Sequence, residues 1–264
     1  MQDYGLVSII TPTWACGQFI AETIRSVMAQ TYQNWELLIQ DDCSTDNTQE
    51  VVERLKAESP ELREKIKYAC NPRNSGAAIT RNNALRRAKG RWIAFLDSDD
   101  LWEPTKLEKQ LRFMVENGYM FSYTAYKEMD SDSRETGVEI HGPMHVSKLG
   151  MFAFCWPGCL TVMYNREAVG LVQIADIKKN NDYAMWLKVC RKADCYLLDE
   201  VLAKYRRGRV GSVSTHGYGT LIRWHYKLWH EAEEMNAIAS MFWTGMNLVR
   251  GVYKKLRYVK HYEA

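Results

Sequence analysis

The chain has no apolar run near the roughly 20 residues that a bilayer-spanning helix needs. Its nearest approach, Leu149–Tyr164, is 16 residues long and broken by Trp156-Pro157-Gly158. It has almost no charge excess, 35 Lys and Arg against 32 Asp and Glu, so no nucleic-acid partner is expected. Its seven cysteines are odd in number, scattered, and contain no Cys-x-x-Cys, which argues for free thiols in a reducing cytoplasm rather than a disulfide frame or zinc site. Met1–Gly5 lacks the basic segment and apolar core of a secretion signal, so a cytoplasmic protein is expected. No Gly-x-Gly-x-x-Gly follows the first apolar run, which disfavours a dinucleotide oxidoreductase. The six histidines show no ligand spacing; His225 and His230 stand five apart, not four. Internal repeats and Pro/Ser-rich linkers are absent as well. A hydrophobic share of 46% and a charged share of 25% then describe an ordinary globular chain.

What is present is alternation. Val7–Ile10 reads as a strand ending at Thr11-Pro12-Thr13, because proline cannot donate to a central ladder. Ile20, Ile24, Val27 and Met28 recur at helical spacing, and Trp35–Gln40 reads as a second strand. A helix is predicted from about Asp46, with Pro60 ending it, then a strand over Lys65–Tyr68. Ala77–Ala88 is helical by composition with Gly90 as its cap. Trp92–Leu96 is short and apolar enough for a strand buried on both faces. This order predicts an α/β fold: a Rossmann-like, mixed but mostly parallel sheet flanked by helices. The second half is less regular. A helix is predicted over Glu103–Asn117, strands over Met120–Tyr126, Cys159–Tyr164 and Val201–Tyr205, a polar surface loop over 127–142, and a helix over Asn180–Lys192. From about Tyr218 the pattern is helical to the end. The expected organisation is a catalytic domain over 1–214, with a nucleotide-binding half of about 1–100 and an acceptor half of about 101–214, then a helical, basic amphipathic extension over 215–264.

In such sheets ligands sit at the carboxyl ends of the strands. Those ends carry Thr11-Pro12-Thr13, Asp41-Asp42, Asn71–Gly76 and Asp97–Asp100. Carboxylates crowded at a strand end repel unless a cation compensates, and a hard divalent ion takes oxygen ligands while leaving room for phosphate. An Asp-x-Asp alone is a weak signal, since Asp99 or Asp100 equally suits the cap of a following helix.

Taken in order, these segments resemble the family 2 glycosyltransferases. The resemblance rests on Val7–Thr13, Glu36–Asp46, Asn74-Ser75-Gly76 with Arg81-Asn82, Trp92–Asp100 and Asn181–Trp186, spread over some 180 residues. The tail from Tyr205 is similar to the branch acting in teichuronic acid, capsule and lipopolysaccharide synthesis. The resemblance implies a GT-A fold and inverting transfer from a nucleotide-sugar, commonly UDP-linked, to a glycan or lipid-linked acceptor. It implies that Pro12, Thr13, Trp14, Asp41, Asp42, Asn74, Gly76, Arg81, Asp97 and Ser98 hold the nucleotide. Asp99, with Asp97, would ligate Mn²⁺ or Mg²⁺, and Asp182 would be the catalytic base. Each has a plainer alternative: Trp14 as a packing residue, Arg81 in an internal ion pair, Asp182 as a helix N-cap. Glu often precedes the base in this family; here Asn181 keeps hydrogen bonding but not charge. Trp156, Asn181, Arg206 and Arg209 are candidates for acceptor or diphosphate contact, against a core tryptophan and a solvated basic loop. Two other functions compete: a sugar-phosphate nucleotidyltransferase, which would want a lysine-bearing loop that Thr11–Gly17 lacks, and a catalytically inactive binder of nucleotide or glycan.

Phe242, Met246, Val249, Tyr253 and Leu256 form one helical stripe, with Arg250, Lys254, Lys255, Arg257 and Lys260 clustered around it. Such a helix suits peripheral attachment to the inner face of a membrane. Packing on the catalytic domain, or on a second subunit in a homodimer, is the alternative.

Overall fold

A computed structural model describes residues 2–208 and 218–263. The first half alternates as β1 (Val7–Thr13), α1 (Ile20–Met28), β2 (Trp35–Asp41), α2 (Thr48–Lys56), α3 (Pro60–Lys65), β3 (Ile66–Cys70), α4 (Ala77–Arg87) and β4 (Trp92–Phe95). There follow β5 (Leu101–Trp102), α5 (Lys106–Asn117), β6 (Phe121–Met129), β7 (Glu135–Ile140), β8 (His145–Val146), α6 (Lys148–Ala153), β9 (Met163–Asn165), α7 (Arg166–Val169), α8 (Asn181–Cys190) and β10 (Cys195–Arg206). The chain finishes with α9 (Tyr218–Lys227), a π-helical turn at Leu228–Ala232, α10 (Ala237–Tyr258) and β11 (Val259–His261).

One mixed sheet runs β11-β7-β6-β9-β4-β1-β2-β3, with β10 beside β6. The parallel pairings are β4-β1-β2-β3 and β6-β10; antiparallel pairing through β9 and β7 dominates the second half. The strands of the first half carry apolar residues on both faces, and period 2 sorts them. Ile10, Leu38, Ile93 and Phe95 face one core, whereas Val7, Ile9, Leu37, Ile39 and Ala94 face the other. Trp186 of α8 and Trp229 of the π-helical turn, both fully buried, complete the first core. The C-terminal helices therefore share the core of the sheet rather than extending from it.

Several local expectations are corrected. β1 continues through Pro12. Ile10 accepts from Leu96 N–H at 3.1 Å and Thr13 from Asp42 N–H at 2.9 Å. Alternation thus turns the Pro12 nitrogen towards the β4 side, where β4 has already ended and no ladder bond is lost. Pro60 opens α3 instead of merely closing α2, because Ser59 Oγ accepts from Leu62 N–H and proline suits the first helical position. Gly90 caps nothing: its missing Cβ lets the backbone pass Ser8, where a Cβ would stand 2.6 Å from Leu6 O and Ser8 N. Residues 127–142 are not a loop but the end of β6 and the antiparallel β7, joined by a turn in which Asp130 Oδ1 accepts from Asp132 and Arg134 N–H. Cys159–Tyr164 splits into a 3₁₀ turn and β9. The chain is not helical to its end, since β11 joins β7.

α10 turns its small and polar residues inward. Ser240, Thr244 and Asn247 are buried, while Ile238, Met241, Phe242, Val249, Val252, Tyr253 and Leu256 are exposed, Leu256 at 82%. Apart from Tyr253, whose ring meets Trp156 edge-on, the apolar stripe therefore does not pack on this chain's own core. Lys254 leaves the predicted basic cluster: its Nζ donates to Trp156 O at 2.8 Å and lies 5.5 Å from the Phe154 ring centroid. Burial pushes its pKa down to about 8.

Candidate active site

Parallel pairing of β3, β2, β1 and β4 delivers their carboxyl ends to one edge. There the backbone itself ties neighbouring loops together, with Asn71 N–H donating to Asp41 O at 2.7 Å and Asp42 N–H to Thr13 O. Asp41 is buried and both its oxygens are engaged: Oδ1 by Ser44 N–H and Oγ–H, Oδ2 by Tyr68 O–H at 2.5 Å. Burial and this carboxylate push the Tyr68 phenol well above its ordinary pKa. Asp42 organises the next loop. Its Oδ1 accepts from Asn71 Nδ2 and Ser75 N–H, its Oδ2 from Gly76 N–H, each at 2.7 Å. Asn74 Nδ2 donates to Asp42 O at 3.1 Å. Gly76 precedes α4 with φ +83° and ψ 163°, a conformation nearly restricted to glycine. Pro12 is half-buried and Thr13 buried, its hydroxyl lacking a hydrogen-bond partner, whereas Trp14 is 56% exposed beside them.

The β4 end adds three acids. Asp97 and Asp99 are half-buried, and Ser98 is buried with its carbonyl accepting from Cys16 Sγ and Thr23 Oγ1. Asp100 turns inward, where Arg206 N–H donates to its Oδ1 at 2.8 Å. Burial, then Asp99 and Asp97, raise its pKa well above the usual carboxylate range. Neither Asp99 nor Asp100 caps α5, which begins after Thr105. Arg206, expected to meet a diphosphate, is a brace instead. Its side chain is fully buried, with Nε donating to Asp99 O at 2.8 Å and the terminal nitrogens to Asp130 O, Ser131 O, Ser133 Oγ and Glu22. Arg209 lies outside the described residues.

One side chain joins the two halves of the site. Arg81, projecting from α4, donates through Nη1 to Asn181 Oδ1 at 2.9 Å and through Nη2 to Asp97 Oδ1. Burial works against its charge, but Asp97, Cys159 and Asp182 act the other way and raise its pKa overall. The internal ion pair is thus what the structure holds. Asn181, buried, accepts where its carboxylate counterpart would have made a second ion pair. The neighbouring Asp182 is half-buried in the first turn of α8, and its Oδ1 accepts from Tyr183 N–H at 2.9 Å. It is not the N-cap; Asn180, with φ +56°, occupies that position. Trp156 is corrected as well. It is buried, donates Nε1–H to Gly150 O at 3.1 Å, and packs edge-on against Phe154, Tyr253 and Tyr258.

Among the described residues no three or more His, Cys, Asp or Glu side chains gather closely enough to enclose a metal ion. Asp97 and Asp99 supply two carboxylates, which fit a hard dication that completes its shell with phosphate and water. Sequence reasoning did not single out Asn71, which holds Gln40, Asp42, Thr80 and Asn83, or Tyr68. The only signal for Asn71 was its place at the end of the third strand.

The pattern described as Glycosyl transferase family 2 matches residues 8–167. TuaG of Bacillus subtilis (strain 168), a glycosyltransferase named for teichuronic acid biosynthesis, is 42% identical over 202 residues, covering 76% of this chain and 79% of its own. WfaP of Escherichia coli, named as a UDP-Glc:alpha-D-GlcNAc-diphosphoundecaprenol beta-1,3-glucosyltransferase, is 38% identical over 83% of each chain. Among solved structures, S. aureus TarS 1-349 in complex with UDP-GlcNAc superposes with a TM-score of 0.70 at 20% identity, over 95% of this chain and 74% of that one. The mannosyltransferase PcManGT of Pyrobaculum calidifontis, with GDP-Man and Mn2+, reaches 0.64 at 16% identity over 94% and 75%. With the strand-end acids, the Asp42-organised loop and the α8 aspartate in place, the chain belongs to glycosyltransferase family 2, on the GT-A fold.

Proposed function

We propose that this glycosyltransferase is inverting and uses a divalent metal, and that it moves a sugar from UDP to a hydroxyl of a surface glycan carried on a lipid diphosphate, at the inner face of the membrane. The observation that carries this reading is the Asp97–Arg81–Asn181 bridge, which ties the acidic strand end to the turn bearing Asp182. The names of TuaG and WfaP support the glycan and the lipid-diphosphate acceptor, and the UDP-GlcNAc and Mn2+ complexes support the donor and metal.

Trp14 and Thr13 face the base and the Asp42-organised loop lies against the nucleotide. Asp97 and Asp99 would hold Mn²⁺ or Mg²⁺, which when bound neutralises charge developing on the departing diphosphate. Asp182 takes the proton of the acceptor hydroxyl as its oxygen bonds to the anomeric carbon and the bond from that carbon to the diphosphate oxygen breaks. One base opposite one leaving group gives a single displacement, hence inversion, unlike the covalent two-carboxylate route.

Asp182→Asn is expected to lower transfer by about 10²–10⁴-fold, the usual worth of a positioned base, with UDP affinity unchanged. Asp99→Ala is expected to remove the Mn²⁺-dependence of UDP binding in calorimetry. Full-rate transfer by Asp182→Asn would refute the assignment.

A further inference from the structure

Two cavities flank α9, and neither belongs to the strand-end edge. The first, of about 380 Å³, lies between the segment leading into α8 and α9. It is lined by Lys178, Lys179, Arg223 and Lys227, with Trp224 as an aromatic wall and Asp176 and Glu231 as the opposing charges. Glu231 is paired with Lys227 at 3.3 Å, so the lining retains an excess of cations. The Lys179 ammonium sits 4.9 Å from the Trp224 ring centroid. Partial burial and then Lys178 lower its pKa. Lys179 is three residues before Asp182 in the chain.

The second cavity, of about 450 Å³, is a groove between α9 and α10 lined by Ile222, Tyr226, Met241 and Leu248, with Gly219 and Gly245 leaving its walls open. Arg223 lines both cavities. Met241 in turn belongs to the exposed stripe of α10, which at about 1.5 Å per residue runs roughly 27 Å from Ile238 to Leu256. At 100° per residue, Arg250 borders that stripe on one side and Lys255 on the other, both exposed. Cations, hydrocarbon groove and basic-rimmed apolar stripe thus follow one another along one path.

We propose that this path is the subsite for a lipid diphosphate: the cationic cavity takes the diphosphate, the groove takes the first hydrocarbon units, and the α10 stripe rests on the anionic bilayer holding the remainder. The assignment rests on the acceptor class given above, and it presents the sugar on that diphosphate to Asp182. Trp224 closes the cavity against the first sugar or the first isoprene unit, and paired cations suit a diphosphate as a single anion would not need them.

The test is calorimetry on the full chain with farnesyl diphosphate, farnesol and inorganic pyrophosphate. Farnesyl diphosphate is expected to bind at least tenfold more tightly than either fragment, and not to compete with UDP. Arg223→Glu and Lys178→Glu, both at exposed side chains, are expected to weaken it at least tenfold while leaving UDP affinity unchanged. In flotation with phosphatidylglycerol vesicles, Phe242→Glu with Leu256→Glu is expected to lower the bound fraction at least tenfold. Displacement of farnesyl diphosphate by UDP, or indifference to both charge reversals, would overturn the subsite. Vesicle binding unchanged by the α10 pair would overturn the bilayer contact. Failure of the subsite with Asp182-dependent transfer intact leaves the transferase reading standing. Binding of farnesyl diphosphate by a chain that transfers nothing sinks that reading instead.

Discussion

The strand-end edge and the α9–α10 face solve opposite problems. At the edge, Asp41 and Asp42 are drawn inside and each of their carboxylate oxygens is given a donor: Asp41 by Ser44 and Tyr68, Asp42 by Asn71, Ser75 and Gly76. On α10 the burial is reversed, with Ser240, Thr244 and Asn247 inside and Phe242, Val249 and Leu256 in solvent. Polar groups placed inside in satisfied networks give a rigid, preorganised edge. Apolar groups left outside mark a surface whose partner is not the chain itself. The lesson is that an amphipathic pattern identifies two faces of a helix without saying which one is inward.

The largest expected break in this contrast is at Arg81. Arg81→Met removes a buried charge that serves Asp97 and Asn181 together, leaving Asp97 without its cation. A loss of about 3 kcal/mol in denaturant unfolding is expected, with transfer reduced on the order of a hundredfold as α8 drifts from the acids. Retention of both stability and rate would show that the two halves of the site are held by other contacts.

A smaller effect is expected at Gly76. A Cβ there meets no atom within 4 Å, so Gly76→Ala tests backbone conformation alone. At φ +83° it is expected to destabilise by roughly 1–3 kcal/mol and to weaken UDP binding through the N–H held by Asp42. Unchanged thermal stability would mean that the loop relaxes freely.

The smallest effect belongs to the helical face and leaves transfer untouched. Lys254 has a folded pKa of about 8, below the ordinary lysine value of 10.5, so between those pH values the unfolded chain binds the extra proton. Stability should therefore rise with pH across that window and lose this contribution as pH falls through 8. The full shift sets a ceiling of about 3 kcal/mol. Retained hydration and the bond to Trp156 O bring the expected difference to the order of 1 kcal/mol. Lys254→Met should flatten that slope in urea titrations at pH 7.5 and 10. An unchanged slope would place the charge in water.

Much of the first half was legible because β-branched runs such as Val7–Ile10 and Trp92–Leu96 end in polar residues, and parallel pairing alone aligns their ends. Pro12 misled, since a proline counts against a central strand only where a ladder partner exists on its side. The 127–142 segment misled because β7 has exposed and half-buried positions and little apolar signal, its pairing being decided by β6 and β11. Arg206 and Trp156 carried chemistry suited to ligands, yet Asp99 and Glu22 claimed the one and Tyr253 with Tyr258 the other. Such claims come from residues far along the chain and leave no local trace.

By itself the sequence determined the alternating elements of the first half, the acids at their ends and the family, because periodicity and motif order are local properties written into the chain. Only the tertiary structure decided which acids are braces, that Arg81 spans from Asp97 to Asn181, and that α10 shows its apolar side to the outside. These depend on which distant groups compete for the same hydrogen bonds and the same buried space, and that competition exists only once the chain is folded.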